Sequence, residues 1–192
     1  MPRIQTQTLA QHRDWRRNQL IDAAASIAME SGGAAVTVAA VAQRAGLSRT
    51  SVYEYFASGS ELVADLVIDE LKNFGDTLNI AVSNCLDPRC VVTCWIKGAL
   101  EYIADGRHLL AKALNSAAMP QSRSQNIGMA HRALMAPLVK AVEELGVKDT
   151  QRELVFIQAI TDASTKRIES GHNAQDEIAY ATTFCINGLM SN

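Results

Sequence analysis

Turn-forming and aromatic residues are scarce in this chain of 192 residues. It contains 11 glycines and four prolines, and only 5% of its residues are aromatic. A sandwich or barrel of many short strands needs frequent turns, so this scarcity argues against such a fold. Hydrophobic residues make up 48% of the chain and charged residues 20%, which is typical of a globular protein. The composition therefore favours an all-α fold.

Long hydrophobic runs are missing as well. The uncharged stretch from residue 178 to 192 contains several polar side chains and is too short to cross a bilayer. The apolar segment 23–29 lies between Asp22 and Glu30, unlike the core of a signal peptide. We therefore expect a cytoplasmic protein with no membrane partner.

Cysteine is also sparse, and the four residues are Cys85, Cys90, Cys94 and Cys185. Four cysteines in a chain of this length do not form a disulfide scaffold, so we expect reduced thiols. Cys90 and Cys94 lie one helical turn apart, which leaves open a redox sensor or a soft metal site. Because the spacing matches no known zinc pattern and no histidine lies nearby, we favour buried, unreactive cysteines with no bound metal or cofactor.

Motifs of catalysis do not occur in the sequence. It has no glycine-rich phosphate loop, no HExxH segment and no G-x-S-x-G nucleophile elbow. We therefore do not expect an enzyme, and a helical enzyme or adaptor is kept as the alternative class.

What the sequence does contain is apolar residues at helical spacing along most of its length. This pattern predicts about nine helices, with boundaries marked by capping residues and glycines. Thr37, Ser48, Ser60 and Asp87 are the expected N-caps of the second, third, fourth and fifth helices. The predicted helices span residues 16–31, 38–45, 49–56, 61–78, 88–105, 107–115, 124–145, 151–170 and 174–190.

Charge is divided unevenly between the two ends of the chain. Residues 1–60 hold six arginines against four acidic residues, whereas residues 61–192 hold 12 basic and 16 acidic residues. A mildly basic N-terminal segment on an acidic body is compatible with a nucleic-acid-binding head, although this signal alone is weak.

The first three predicted helices form a helix-turn-helix, because a glycine-containing turn joins the second to the third. In such a unit the third helix enters the major groove, and its early residues reach base edges. Residues 48–51 are all polar, whereas Val52 and Phe56 are one turn apart and point into the core together with Val41 and Leu47. One side of the third helix is therefore polar and the other apolar.

This region resembles the TetR/AcrR family of bacterial transcriptional repressors from about residue 17 to residue 66. The matching features are Gly32-Gly33, Thr37-x3-Val41-Ala42, Ala45-Gly46-Leu47-Ser48, Tyr53-x-Tyr55-Phe56 and Ser60-Glu61-Leu62. One departure is Gly59, where many family members carry a lysine that contacts phosphate. In its absence, a cluster of Arg13, Arg16 and Arg17 could supply that contact.

The resemblance implies a DNA-binding domain over residues 1–59 and a helical effector-binding and dimerisation domain over residues 60–192. It implies a homodimer that binds double-stranded palindromic operator DNA and is released by a small-molecule effector. Thr37, Tyr53 and Tyr55 would contact phosphates, and residues 49–51 would face bases. The full set of implied DNA contacts is Arg17, Thr37, Arg44, Ser48, Arg49, Thr50, Ser51, Tyr53 and Tyr55.

Two further sets of residues are expected in the second domain. The site for an apolar effector would be lined by Trp95, Tyr102, Asn115, Met119, Met129, His131 and Phe156. By resemblance, the last two helices form a four-helix bundle across the dimer through Phe156, Ala159, Ile160, Ala163, Ala179, Thr182, Thr183, Ile186 and Leu189. For both sets ordinary core packing is the alternative, because helical periodicity does not distinguish them. An activator, or a regulator that responds to redox state through Cys85, Cys90 and Cys94, is a further alternative.

Overall fold

The computed structural model describes residues 9–115 and 117–190. Over these residues the chain is all-α, as predicted, with nine α-helices, two short 3₁₀ turns and no strand. The helices are α1 Leu9–Ser31, α2 Val38–Ala45, α3 Arg49–Tyr53, α4 Gly59–Val82, α5 Pro88–Ala104, α6 Leu109–Leu114, α7 Ser124–Glu144, α8 Thr150–Glu169 and α9 Ala174–Met190. None of the described helices is long and apolar enough to span a membrane.

The chain divides into two compact units. The first unit contains the residues up to Asp69 together with Leu109–Ile127, and the second contains Glu70–His108 and the residues from Gly128 onward. The predicted boundary after residue 59 coincides with the start of α4, whereas the compact units divide inside that helix. The first unit also takes in α6, which follows α5 in the chain.

The core of the first unit is built around α1, α2 and α3. Leu20, Val41 and Val52 are fully buried there, and Phe56 is nearly so. Leu47 is partly buried against the same cluster. The core positions predicted for the helix-turn-helix are therefore confirmed, and they hold α3 against the two helices before it.

Local capping explains where α2 and α3 begin. The hydroxyl oxygen of Thr37 accepts a hydrogen bond from the amide of Ala40 at 3.1 Å, and that of Ser48 accepts one from Ser51 at 3.0 Å. Gly46 ends α2 with a left-handed φ of 66°. Both caps were predicted, because a hydroxyl three residues ahead of a free amide satisfies it without any distant partner.

The structure corrects two helix boundaries near α3. This helix ends at Tyr53, earlier than predicted, because the amides of Tyr55 and Phe56 both donate to the Val52 carbonyl in a closing turn. Ser58 caps α4 in place of Ser60, since its hydroxyl accepts from the Glu61 amide at 3.2 Å.

The second unit packs α5, α8 and α9 with the later part of α4 and most of α7. Asp87 caps α5 and Pro88 is its first residue, as predicted. Ile96, Leu100 and Val142 are fully buried in the core of this unit.

Candidate nucleic-acid interface

One side of α3 is polar and exposed to solvent, and the opposite side packs into the core of the first unit. Arg49 and Thr50 are exposed, whereas Val52 on the opposite side is fully buried. Ser51 is half-buried, and its hydroxyl lies 3.0 Å from the hydroxyl of Ser48. The side chains of Arg49 and Thr50 are therefore available to an external partner, and the two serines mainly stabilise the start of the helix.

A groove of about 420 Å³ lies beside the polar side of α3 and joins three elements. α2 and α4 both begin at it, through Thr37 and Gly59, and α3 contributes Arg49 and Tyr53. The amides and the positive dipole ends of two helices therefore meet an exposed guanidinium. Such an arrangement favours a negatively charged group such as a phosphate.

Gly59 makes the close approach of α4 to α2 possible. A Cβ at this position would overlap the carbonyl oxygen of Val36 and lie 3.1 Å from the Cα of Thr37. The glycine that departs from the family pattern is therefore required by the packing here, because any side chain would push the two helix starts apart.

The two tyrosines after α3 differ in their surroundings. Tyr53 is exposed and lines the groove. Tyr55 is half-buried against the first-unit core, and the guanidinium of Arg13 lies 5.9 Å from its ring centroid. Tyr53 is thus the more accessible of the two for a phosphate contact.

The remaining two predicted arginines already have carboxylate partners. Arg44 donates to both oxygens of Glu30 at 2.7 and 2.5 Å, and this contact lowers the pKa of the Glu30 carboxyl and raises the pKa of the guanidinium. Arg17 is bound to the buried carboxylate of Asp65, and Arg123 reaches the other oxygen of that carboxylate at 3.3 Å. Arg44 lies on the surface, whereas Arg17 ties α1 to α4 inside the first unit.

The residues predicted to line an effector site are divided between the two compact units. Trp95 and Tyr102 are buried in the second unit, where the ring of Tyr102 contacts that of Phe74 at a tilt of 32°, with ring centroids 4.6 Å apart. Met129 and His131 are exposed on α7 of that unit, whereas Asn115 and Met119 are exposed residues of the first unit. Phe156, the seventh residue, lies on an exposed face of α8. The indole N–H of Trp95 is buried and has no hydrogen-bond partner among the described residues.

An exposed apolar face covers α8 and α9. Phe156 is 57% exposed and Phe184 is 52% exposed, and both line a groove of about 610 Å³ with Ala159, Ile160 and Gly188. Large apolar side chains rarely lie together in solvent without a partner. This surface, here called the α8–α9 face, is therefore a candidate docking surface of the second unit.

Only part of the predicted dimer set lies on this face. Phe156, Ala159, Ile160 and Leu189 line the groove, although Leu189 is itself buried. Ala163 is exposed on α8, and Ile186 packs against the second-unit core. Ala179, Thr182 and Thr183 line a different groove, beside α5.

The sequence reasoning missed Tyr180 and Phe184 on α9. Tyr180 is 67% exposed, and its ring stacks on Phe184 with centroids 6.1 Å apart. The predicted stripe on α9 is displaced by about one residue from the exposed one. The available signal was the spacing i, i+4 of two aromatic residues, which places both rings on one side of α9.

The cysteines contradict the expectation of reduced, buried thiols. Cys85 and Cys90 form a disulfide whose Cα atoms are 5.4 Å apart, and Cys94 is a free thiol. All three are half-buried, and only Cys185 is buried. The prediction was wrong because Cys85 lies outside α5, and only the α4–α5 connection brings it to the helix.

Comparison with known proteins agrees with this geometry. Residues 20–66 match the family model for bacterial regulatory proteins of the tetR family. The HTH-type transcriptional regulator BetI of Brucella anthropi is 34% identical over 89 residues, which are 46% of this chain and 43% of that protein. BetI of Brucella abortus is 33% identical over 88 residues, which are 46% and 41% of the two chains. The chain therefore matches less than half the length of these curated relatives.

Solved structures extend the likeness in fold to most of the chain. A TetR-like transcriptional regulator from Rhodococcus sp. RHA1 has a TM-score of 0.70 at 21% identity and covers 92% of this chain and 97% of its own. The regulator FadR of Bacillus subtilis, solved in complex with stearoyl-CoA, has a TM-score of 0.72 at 17% identity and covers 89% and 98%. At these identities the likeness establishes the fold.

The exposed α3, its buried anchor and the groove beside it define a helix-turn-helix DNA-binding domain. Residues 20–66 match the model of the tetR family of bacterial regulatory proteins, and BetI is similar over less than half of the chain, so the likeness to this family is established for the N-terminal segment. The curated relatives that it matches are the HTH-type transcriptional regulators BetI.

Proposed function

We propose that this chain is a ligand-responsive transcriptional repressor that binds a palindromic operator as a homodimer. The observation that carries the proposal is the exposed pair Arg49 and Thr50 on a helix locked by Val52, beside a groove where two helices begin. Sequence-specific binding to a DNA duplex requires phosphate contacts that position the protein and base contacts that specify the sequence. The groove is suited to the phosphate contacts, and the polar side of α3 is suited to the base contacts.

The contacts are divided between bases and phosphates. Arg49 and Thr50 reach base edges, and the guanidinium of Arg49 is suited to the O6 and N7 acceptors of guanine. Thr37 and Tyr53 bind a phosphate in the groove, with Tyr55 and Arg44 at neighbouring phosphates. Ser48, Ser51 and Arg17 act indirectly, because their polar groups already hold α3 and α1 in place.

The partner on the α8–α9 face is a second copy of this chain. One helix-turn-helix makes few contacts, and two copies related by a two-fold axis match the symmetry of a palindrome. The exposed Phe156 and Phe184 supply the apolar centre that such an interface needs.

The effector is an apolar small molecule that binds in the second unit. Support comes from the buried indole N–H of Trp95, which has no partner among the described residues and could donate to a ligand. FadR of Bacillus subtilis, which shares the fold, was solved with stearoyl-CoA. Release of DNA requires that the effector prefer one of two separations of the paired α3 helices. α4, whose residues belong to both units, is the element that would transmit the shift.

The DNA-binding proposal is tested by selecting bound duplexes from a random pool and measuring affinity over a salt series. Arg49→Ala should lower discrimination between the selected site and random DNA by about tenfold or more, because a bidentate base contact contributes about 1–3 kcal/mol. Tyr53→Phe should weaken binding to both duplexes equally.

The matched control is Arg132→Ala, which removes an exposed arginine of α7 in the second unit. It should leave discrimination unchanged. The proposal is contradicted if no palindrome is selected, or if Arg49→Ala and Arg132→Ala behave alike.

A further inference from the structure

Three cysteine sulfurs converge at the start of α5. Cys85 precedes the helix, and Cys90 and Cys94 lie on one side of its first turns. The Sγ atoms of all three lie within 4.8 Å of one another, and no other group of three or more potential ligands is found among the described residues. All three side chains are half-buried, so an ion or a reductant can reach them.

The separation of Cys90 and Cys94 matches the separation of two ligands on one metal ion. Sulfurs bound to zinc at about 2.3 Å lie about 3.8–4.0 Å apart in tetrahedral or trigonal arrangements. The Sγ atoms of Cys90 and Cys94 are 3.9 Å apart. Two of the three ligands therefore already have the required spacing, and Cys85 is held beside them by the backbone of the α4–α5 connection.

The disulfide determines when the third ligand is available. While Cys85 and Cys90 are bonded to each other, neither offers a thiolate. A dithiol reductant converts this bond to two thiols and is itself oxidised to a disulfide. The Sγ of Cys85 then has only to rotate away from that of Cys90, because the two Cα atoms are 5.4 Å apart and stay in place.

The donor set selects the class of ion. It consists of thiolates alone, which prefer soft or borderline metals over calcium or magnesium. Three thiolates carry three negative charges, so a divalent ion leaves a smaller net charge to bury than a monovalent ion does. The positive end of the α5 dipole lies next to Cys90 and offsets part of that remaining charge.

We propose that, in the reduced protein, Cys85, Cys90 and Cys94 bind one thiophilic divalent metal ion of the Zn²⁺ and Cd²⁺ class. Binding replaces three S–H bonds with three metal–sulfur bonds and releases three protons to solvent. A fourth position on the ion is open to water or a small anion. The disulfide and the metal are mutually exclusive, so the site is occupied only under reducing conditions.

The test is a titration of the full-length, reduced protein with Cd²⁺, followed by the sulfur-to-metal charge-transfer absorbance in the ultraviolet. One equivalent should saturate the band, and Cd²⁺ added to the Zn²⁺-loaded protein should displace the Zn²⁺ and produce the same band, because thiolates bind the softer ion more tightly. Cys94→Ser should weaken binding by more than about 10–100-fold, since loss of an outer-shell partner already costs that much. The oxidised protein should show no band at one equivalent.

Cys185→Ala is the control for the fourth thiol. Cys185 is buried in the second unit, and burial raises the pKa of its thiol to about 11, so it remains protonated near neutral pH. This variant should keep the wild-type band and stoichiometry. Cys85→Ser serves as the second test variant if Cys94→Ser does not fold, as judged by circular dichroism.

The proposal is overturned if the reduced wild type shows no band at one equivalent, or if Cys94→Ser binds Cd²⁺ as the wild type does. Equal binding by the oxidised protein would overturn the mutual exclusion of disulfide and metal. Loss of the band in Cys185→Ala with its retention in Cys94→Ser would place the ion elsewhere.

Discussion

Single residues decide how closely the elements of the DNA-binding domain approach. Gly59 begins α4 directly against the backbone of Val36 and Thr37, where a Cβ would overlap the Val36 carbonyl oxygen. The groove beside α3 therefore depends on glycine at this position, because glycine allows the starts of α2 and α4 to lie close together. The lysine that the resemblance led us to expect at this position could not be accommodated without a shift of α4.

A lysine substituted at this position tests whether α4 lacks room for a side chain. Gly59→Lys should lower the free energy of unfolding by about 1–3 kcal/mol, the typical cost of overpacking, as measured by urea denaturation. Gly128→Ala is the matched control, because its Cβ would meet only the end of the Arg132 side chain at 3.4 Å. In the interior of α7 this control should be stabilising by about 0.5–1 kcal/mol. A Gly59→Lys protein as stable as the wild type would show that α4 has room for the side chain.

At the scale of elements, an ion pair connects α1 to α2. Arg44 of α2 donates to both carboxylate oxygens of Glu30 on α1, and both side chains are on the surface. The pKa of Glu30 is lowered by this contact. Its carboxylate therefore stays charged at neutral pH, and the ion pair with Arg44 is lost only when the pH falls below the usual range for glutamate. Any phosphate near Arg44 must compete with this partner.

Removing the competitor should strengthen DNA binding without regard to sequence. Glu30→Gln should raise affinity for selected and random duplexes alike and steepen the dependence of log affinity on log salt by about 0.9, the value for one added phosphate contact. Arg44→Ala should make the slope shallower. Unchanged slopes in both variants would exclude Arg44 from the interface with DNA.

At the scale of the whole molecule, the proposed homodimer requires a surface on which a second copy can dock. The α8–α9 face combines exposed aromatic side chains with small residues such as Ala159 and Gly188, which permit close approach of helices. An interface of this kind derives its free energy from apolar area removed from water.

A charge at the centre of that face should therefore produce monomers. Phe184→Glu is expected to dissociate the dimer in sedimentation velocity experiments and to lower operator affinity, because one copy reads only half a palindrome. Ile80→Glu is the matched control, since Ile80 is 74% exposed on α4 and does not line the α8–α9 groove. If Phe184→Glu remains a dimer, the second copy docks on another surface.

Local chemistry in the sequence was sufficient for the helices and for the character of α3. The caps at Thr37, Ser48 and Asp87 join a side chain to an amide only two or three residues away, so they can be identified without knowing the fold. The same holds for helical periodicity and for the opposition of polar residues 48–51 to Val52. These signals predicted an all-α chain with a helix-turn-helix and its resemblance to the TetR family over the N-terminal segment.

Contacts between groups that are far apart in the sequence follow from the packing of the helices. Arg17 donates a hydrogen bond to Asp65, which is 48 residues away in the sequence. Gly59 contacts Val36 because the starts of two helices pack together. Cys85 reaches Cys90 because of the path between α4 and α5, and Phe184 faces solvent because of how α9 rotates against its neighbours. Such contacts depend on the relative placement of helices, and one helix's periodicity contains no information about the position of another.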